Sequence, residues 1–135
     1  MEHGEERLAA IAEWAAADER VKNAWANEID ATEAGAYGLA LAGVELVKGL
    51  VAVRRAQTRT GADYYLGAAG AIPEDLEGCY RLEISGIDRG TASAIKARLR
   101  QKVEQAEKGE SNLPAIAAVV EFSTVHIVSA DVEQK

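Results

Sequence analysis

Two carboxylates lie inside short stretches of strand-forming residues. Asp63 belongs to the stretch ADYYL at positions 62–66, and Glu83 belongs to the stretch CYRLEIS at positions 79–85. Burial of a carboxylate among apolar neighbours costs free energy unless the group is paired or binds a cation. We therefore expect Asp63 and Glu83 to have a charged partner, and they are the first candidates for chemistry.

A third acid, Glu33, falls in the first turn of a predicted helix that Asp30 or Thr32 can cap. Mg²⁺ prefers hard oxygen ligands and is usually held by one or two carboxylates together with water and substrate phosphate. Beside a phosphodiester, such an ion polarises the phosphoryl oxygen and lowers the pKa of a bound water. Adjacent antiparallel strands lie about 5 Å apart, so Asp63 and Glu83 can share one ion if the register turns both side chains to the same face.

Each acid also has an ordinary structural interpretation. Glu33 can complement the positive end of its helix. Asp63 can cap a backbone amide in a turn. Glu83 can face solvent or pair across strands with Arg81 or Arg54. The alternative is a common site, which is supported by the placement of the three acids on three successive elements.

Apolar periodicity and turn residues predict the elements that position these acids. Their order is helix, helix, strand, strand, strand, helix, strand. Residues 124–128 either extend the sheet or re-enter it, and residues 129–135 are expected to form a polar tail. The predicted helices cover residues 5–27, 29–49 and 91–108, and the predicted strands cover residues 50–56, 62–66, 79–87 and 115–122.

The composition is typical of one globular domain. The chain has 135 residues, of which 48% are hydrophobic and 27% charged, enough for a single core. Cys79 is the only cysteine, which excludes an intrachain disulfide and a cysteine-based zinc site and fits a small core residue. The opening MEHGEER is charged, and no apolar run approaches membrane-spanning length, so we expect a cytoplasmic protein that does not contact a membrane.

Without its first helix the chain has the order α-β-β-β-α-β, and this order, together with Glu33, Asp63 and Glu83, resembles the PD-(D/E)xK nuclease superfamily over residues 30–122. The resemblance implies an α+β, restriction-endonuclease-like core in which helices flank a central mixed four-stranded sheet. The core would span residues 29–122, with residues 1–28 as an N-terminal helical extension and residues 123–135 as a C-terminal extension or tail. It also implies that Glu33, Asp63 and Glu83 hold Mg²⁺ or Mn²⁺.

The sequence departs from that superfamily at the motif lysine, whose position is occupied by Ser85. Loss of this lysine removes a group that orients the attacking water and offsets phosphate charge. Lys96 or Lys102, on the following helix, is available to replace it. We therefore expect a small Mg²⁺-dependent nuclease with Asp63, Glu83, Ser85 and Lys102 as catalytic residues. The alternative is an inactive interaction module on the same fold, such as an accessory subunit or an antitoxin-type or immunity-type partner.

Two surfaces are candidates for partners. The basic residues at positions 96–102 would face nucleic acid, although a net charge of −7 disfavours binding by the whole surface, and the same residues also fit a solvated charged face. The first helix, with Trp14 and Trp25 on roughly one face, is the expected surface for a homodimer or a protein partner. His3 is expected in a mobile terminus, and His126 is expected to be structural.

Overall fold

The computed structural model describes residues 1–11, 13, 28–56, 63–71, 76–109 and 112–132. These residues form an α+β domain in which two helices pack on a mixed sheet. From α1 to β6 the elements follow the predicted order of helix, three strands, helix and strand. The elements are β1 (Glu2–His3), β2 (Glu6–Arg7), α1 (Glu28–Lys48), β3 (Val51–Arg55), β4 (Tyr64–Gly67), β5 (Tyr80–Ile87), α2 (Ala92–Glu107), β6 (Ala115–Glu121) and β7 (His126–Val132).

The described strands form one seven-stranded sheet in the order β2-β1-β7-β6-β5-β4-β3. Strands β3, β4 and β5 are antiparallel neighbours, whereas β5 and β6 run parallel and are joined by α2. A parallel pair requires such a crossover, because a tight turn can only reverse the chain. The prediction of a four-stranded sheet was wrong, since β7, β1 and β2 continue the sheet beyond β6.

The two helices cover opposite faces of the central strands. Ala36, Ala40 and Val44 of α1 pack on Leu82 and Ile84 of β5 and on the even-numbered residues of β6. Helix α2 packs on the odd-numbered residues of β6, through a cluster that includes Ala106, Leu99 and Val103. Every residue of β6 is buried, as expected for a strand covered on both faces.

The small residues of α1 allow the close approach that the sequence predicts. A Cβ atom on Gly35 would lie 3.1 Å from the ring of Phe122, so this turn of the helix touches the residue that follows β6. Gly49 ends the helix with a φ of +69°, a conformation that glycine adopts without steric cost.

Both ends of the described chain differ from the predictions. Residues 2–7 form the strands β1 and β2 instead of a mobile terminus and the start of a helix, and His3 is buried. The predicted polar tail is also wrong over residues 129–132, because β7 pairs with all seven residues of β6. Polar side chains of β7 are tolerated there since Ser129 and Asp131 bond to residues of other elements. Trp14, Trp25 and the predicted helix at residues 14–27 lie outside the described residues.

Arg81 is a buried cation at the start of β5, with 2% of its surface exposed. Its Nε donates to the carbonyl of Leu113 at 3.1 Å, and its Nη1 donates to the carbonyl of Ala106 at 2.9 Å. These bonds join β5 to the end of α2 and to the segment that leads into β6.

Replacement of Arg81 by methionine should destabilise the fold. Arg81→Met keeps much of the side-chain volume but removes both hydrogen bonds, each donated by a charged group, for an expected loss of about 2–4 kcal/mol in the free energy of unfolding. Urea denaturation measures this loss. Arg100→Met, at an exposed position of α2, is the matched control and should change stability by less than about 0.5 kcal/mol. Equal stability of the two variants would contradict the assigned role of Arg81.

The β6–β7 turn depends on Glu121, which is fully buried. Its carboxylate accepts hydrogen bonds from the backbone N–H groups and the hydroxyls of Ser123 and Thr124. These bonds lower the pKa of Glu121 to about 2, against the opposing effect of burial. They also hold a turn in which Val125 adopts a φ of 51°, an unfavourable conformation for a β-branched residue.

The contribution of Glu121 to stability should depend on pH. Because its pKa is depressed in the folded state, the stabilisation is fully present above the pKa of an unfolded glutamate, about 4.3, and is lost as the pH falls towards about 2. Glu121→Gln should therefore melt at a lower temperature than the wild type at pH 7, and the difference should shrink between pH 5 and pH 2. Glu45→Gln, exposed on α1, serves as the control and should show no such convergence.

Candidate functional site

Strand alternation in β5 separates its apolar residues from its polar ones. Leu82 and Ile84 belong to the apolar cluster beneath α1. Arg81, Glu83 and Ser85 therefore point to the opposite face, which α2 covers. All three are buried, with Glu83 9% exposed. The face of β5 beneath α2 is thus polar although it lies inside the protein.

Glu83 is paired with a lysine from α2. Its Oε1 accepts a hydrogen bond from the Nζ of Lys102 at 3.1 Å, and 12% of the Glu83 side chain and 19% of the Lys102 side chain are exposed. Of the two lysines considered as replacements for the motif lysine, Lys102 reaches the site, whereas Lys96 is exposed on α2. The structural interpretations of Glu83 were exposure to solvent or pairing with Arg81 or Arg54. Its main contact is instead with Lys102.

Asp63 lies immediately before β4 and is held against β5. Its backbone N–H donates to the carbonyl of Leu82 at 2.7 Å. Its carboxylate accepts a hydrogen bond from the backbone N–H of Ile84 at 2.7 Å, through Oδ2, and one from the hydroxyl of Tyr37 at 3.3 Å, through Oδ1. Asp63 does cap a backbone amide, as its structural interpretation anticipates, but that amide belongs to the neighbouring strand and follows Glu83.

The two carboxylates are close enough to affect each other. Burial raises the pKa of Glu83, the negative charge of Asp63 raises it further, and Lys102 acts in the opposite direction. Asp63 bonds to Tyr37 of α1 and Glu83 bonds to Lys102 of α2, however, and these helices cover opposite faces of the sheet. A metal site shared by the two acids therefore stays a prediction.

Tyr37 is a member of the site that the sequence analysis missed. Burial, followed by the charges of Asp63 and Glu33, raises the pKa of Tyr37 to about 12. Tyr37 and Glu33 are four residues apart on α1 and so lie on one side of the helix. The rings of Tyr37 and Tyr64 form an edge-to-face pair with centroids 5.7 Å apart, and the Arg55 guanidinium lies 5.9 Å from the centroid of the Tyr37 ring. The sequence does contain a signal for Tyr37, because it is an aromatic residue one turn after Glu33 in a helix that consists mostly of small residues.

Ser85, at the position of the motif lysine, also contacts α2. Its Oγ accepts a hydrogen bond from the Nη1 of Arg98 at 2.7 Å. Arg98 and Lys102 are four residues apart and lie on one side of α2, while Lys96 and Arg100 are exposed. The basic face predicted from the sequence is therefore divided, with two cations directed at β5 and two at solvent.

A metal ion would find two carboxylates in this site. Within the described residues, no group of three or more His, Cys, Asp and Glu side chains is arranged to hold a metal ion. Glu33 is exposed and acts on Tyr37 through its charge, so its role as a third ligand stays a prediction. Asp63 and Glu83 nevertheless fit Mg²⁺ chemistry, because this ion is commonly held by one or two carboxylates with water and substrate phosphate.

A second polar cluster joins the terminal strand β1 to β7. The His3 Nδ1 lies 2.8 Å from the Ser129 Oγ, and its Nε2 lies 3.2 Å from Asp131, which also accepts a hydrogen bond from Lys48 at 3.2 Å. Serine, histidine and aspartate here resemble a nucleophilic triad in type. Ser129 is only 1% exposed, however, so its hydroxyl has no access to a substrate. The cluster anchors β1, and it joins His3 to residues near the other end of the chain, which only folding brings together.

His126 has the structural role that the sequence predicts. Its Nε2 lies 2.7 Å from a carboxylate oxygen of Glu2, which adds a second contact between β7 and β1. Both histidines of the chain thus support the attachment of β1, and neither contacts the site around Glu83.

Comparison of the chain with protein-family models, curated proteins and solved structures finds no match. Among the described residues, neither helix combines the length and the apolar character needed to cross a membrane. The function of this protein is therefore inferred from the geometry around Asp63 and Glu83.

Removal of Lys102 should reveal the free-energy cost of burying the charged carboxylate of Glu83. In Lys102→Met the ionised carboxylate loses its partner, so we expect the free energy of unfolding to fall by about 1–3 kcal/mol at pH 7. The pKa of Glu83 should rise further, because Lys102 lowers it in the wild type. The stability difference from the wild type should therefore narrow as the pH falls and Glu83 is protonated.

Denaturation at several pH values, together with NMR titration of the Glu83 carboxyl carbon, measures both effects. Lys96→Met is the control, since Lys96 is exposed on the same helix. An unchanged titration of Glu83 in Lys102→Met would show that the pair makes no electrostatic contribution.

Proposed function

We propose that this protein is a small Mg²⁺-dependent nuclease of the PD-(D/E)xK type, acting on nucleic-acid phosphodiesters. The observation that carries the proposal is the hydrogen bond of 3.1 Å between Lys102 and Glu83, next to Ile84, whose backbone N–H binds the carboxylate of Asp63. Two acids from adjacent strands and a lysine are the side chains that the resemblance requires. The lysine comes from α2, since Ser85 occupies its usual position.

The arrangement of the elements supports the same proposal. Asp63 immediately precedes β4 and Glu83 lies on the neighbouring strand β5, within the antiparallel run β3-β4-β5, and α2 crosses from β5 to the parallel strand β6. We propose that α1, β3, β4, β5, α2 and β6 form a restriction-endonuclease-like core. Strands β7, β1 and β2 would then extend its sheet at one edge.

Asp63 and Glu83 are the residues that would hold the ion. When bound, Mg²⁺ polarises a phosphoryl oxygen and lowers the pKa of a coordinated water. Its positive charge would also offset the repulsion between the two acids that contributes to the raised pKa of Glu83.

The remaining contributions come from the chain itself. Tyr37 and the N–H of Ile84 fix the orientation of the Asp63 carboxylate through its two oxygens. Lys102 supplies a positive charge beside Glu83, where a bound phosphodiester would carry a negative one. Because both carboxylates are positioned by backbone or partly buried partners, little reorganisation is needed to bind a substrate.

A specific observation also favours the second candidate, an inactive interaction module on the same fold. Both oxygens of Asp63 and one oxygen of Glu83 already accept hydrogen bonds from the protein. The acids are thus satisfied by the fold without an ion. In this case the net charge of −7 would favour a basic partner, as an accessory, antitoxin-type or immunity-type protein requires.

Cleavage assays separate the two candidates. Incubated with Mg²⁺ or Mn²⁺, the wild type should cleave at least one of single-stranded DNA, double-stranded DNA and RNA, and EDTA should abolish the reaction. Asp63→Asn and Lys102→Met should each lower the cleavage rate by about 100-fold or more, because both remove charge from the site. Arg100→Ala, exposed on α2, should retain the activity and is the matched control.

Circular dichroism of each variant would establish that it is folded. Absence of cleavage by the wild type with every substrate and both ions would reject the nuclease proposal. Equal cleavage by Asp63→Asn would also reject it, since a contaminating nuclease is insensitive to this change. A folded wild type that neither binds Mg²⁺ in calorimetry nor cleaves would favour the interaction module.

A further inference from the structure

Helix α2 and strand β5 meet through three polar contacts at regular intervals. Along β5 the contacts fall at every second residue, and along α2 they fall at every fourth. Two strand residues span about 6.6 Å and four helical residues span about 6 Å, so the spacings match. We call these contacts the polar ladder: Arg81 with the carbonyl of Ala106, Glu83 with Lys102, and Ser85 with Arg98.

The two cations that α2 contributes to the polar ladder, Lys102 and Arg98, differ in what they contact. Lys102 donates to a carboxylate, so the charges of this pair offset each other. Arg98 donates to the neutral hydroxyl of Ser85 at 2.7 Å, a contact that does not offset its positive charge, and it forms no salt bridge with any of the described residues. Arg81 also donates to neutral carbonyls, but only 2% of its surface is exposed. The partly exposed cation whose contact does not offset its charge is therefore Arg98, beside Ser85 and two residues along β5 from Glu83.

The contact with Ser85 also orients the guanidinium group. Arginine carries five N–H donors in a planar fork that matches the oxygens of a phosphate, and the bond from Nη1 to Ser85 uses one of them. Arg98 is half-buried, in contrast to the exposed Lys96 and Arg100 of the same helix. A partly buried and oriented guanidinium binds phosphate at a lower entropic cost than a mobile surface cation.

We propose that Arg98 is a phosphate-binding residue of this site and that Ser85 positions it. The two roles of the missing motif lysine are then divided: Lys102 acts beside Glu83, and Arg98 offsets the charge of the phosphate. This inference rests on the proposed function in that the bound phosphate belongs to a nucleic acid. It concerns binding, however, and can be tested apart from cleavage.

Binding is measured by the fluorescence anisotropy of a labelled oligonucleotide, titrated with the full chain in Ca²⁺ at several salt concentrations. The oligonucleotide is of the kind that the wild type binds most tightly among single-stranded DNA, double-stranded DNA and RNA. Arg98→Gln should raise Kd about tenfold and should lower the slope of log Kd against log salt by about one, as expected for the loss of one phosphate contact. Arg98→Lys keeps the charge but loses the fork, so its Kd should lie between those of wild type and Arg98→Gln.

Two further variants make the test specific. Ser85→Ala leaves Arg98 in place but removes its positioning contact, so Kd should rise about threefold with an unchanged salt slope. Arg100→Gln removes the same charge from an exposed position of α2 and should change Kd less than twofold. Thermal melting of every variant identifies losses of binding that come from unfolding, and Ser85→Ala carries the test if Arg98→Gln does not fold.

The outcomes also separate this inference from the nuclease proposal. Binding that depends on Arg98, without any cleavage in Mg²⁺ or Mn²⁺, would support the phosphate site and reject the nuclease. Cleavage by the wild type, with Arg98→Gln and Arg100→Gln binding alike, would overturn the role of Arg98 and leave the nuclease proposal standing. A wild type that binds no oligonucleotide would overturn the inference as well.

Discussion

The packing of α2 against a polar face of β5 is the constraint on which the candidate site depends. Burial of Arg81, Glu83 and Ser85 would be unfavourable if their polar atoms lost contact with water and gained no partner. The polar ladder provides a partner for each residue, and a shift of α2 by one turn would break all three contacts. Buried polar contacts of this kind specify one register between elements more strongly than apolar packing does.

The opposite face of the sheet is held by apolar packing. There α1 places Ala36, Ala40 and Val44 on the apolar side of β5 and β6, and small side chains bring the helix close to the sheet. The same helix carries Tyr37, which reaches Asp63 at the edge of this apolar layer. The face beneath α1 thus packs through apolar residues and holds Asp63 through Tyr37, whereas polar contacts with α2 hold Glu83 and Ser85.

Glu83 is held in a balance between opposing influences. Burial and the charge of Asp63 favour its protonated form, whereas Lys102 favours the ionised form. Perturbed carboxylates of this kind are common at catalytic and metal-binding sites, although structural ion pairs produce them too. The nuclease and the interaction module are two uses of the same balance, which differ in whether a cation joins Lys102 beside the acids.

The sequence by itself determined the order of the elements from α1 to β6 and most of their bounds, because apolar periodicity, caps and turn residues act over short distances. It also identified Asp63 and Glu83, since a carboxylate in an apolar strand stands out locally. Only the tertiary structure decided that Lys102 rather than Lys96 reaches Glu83, that Tyr37 binds Asp63, and that His3 attaches β1 to β7. These contacts join residues far apart in the chain, and their geometry follows from how helices and strands dock, which no local pattern encodes.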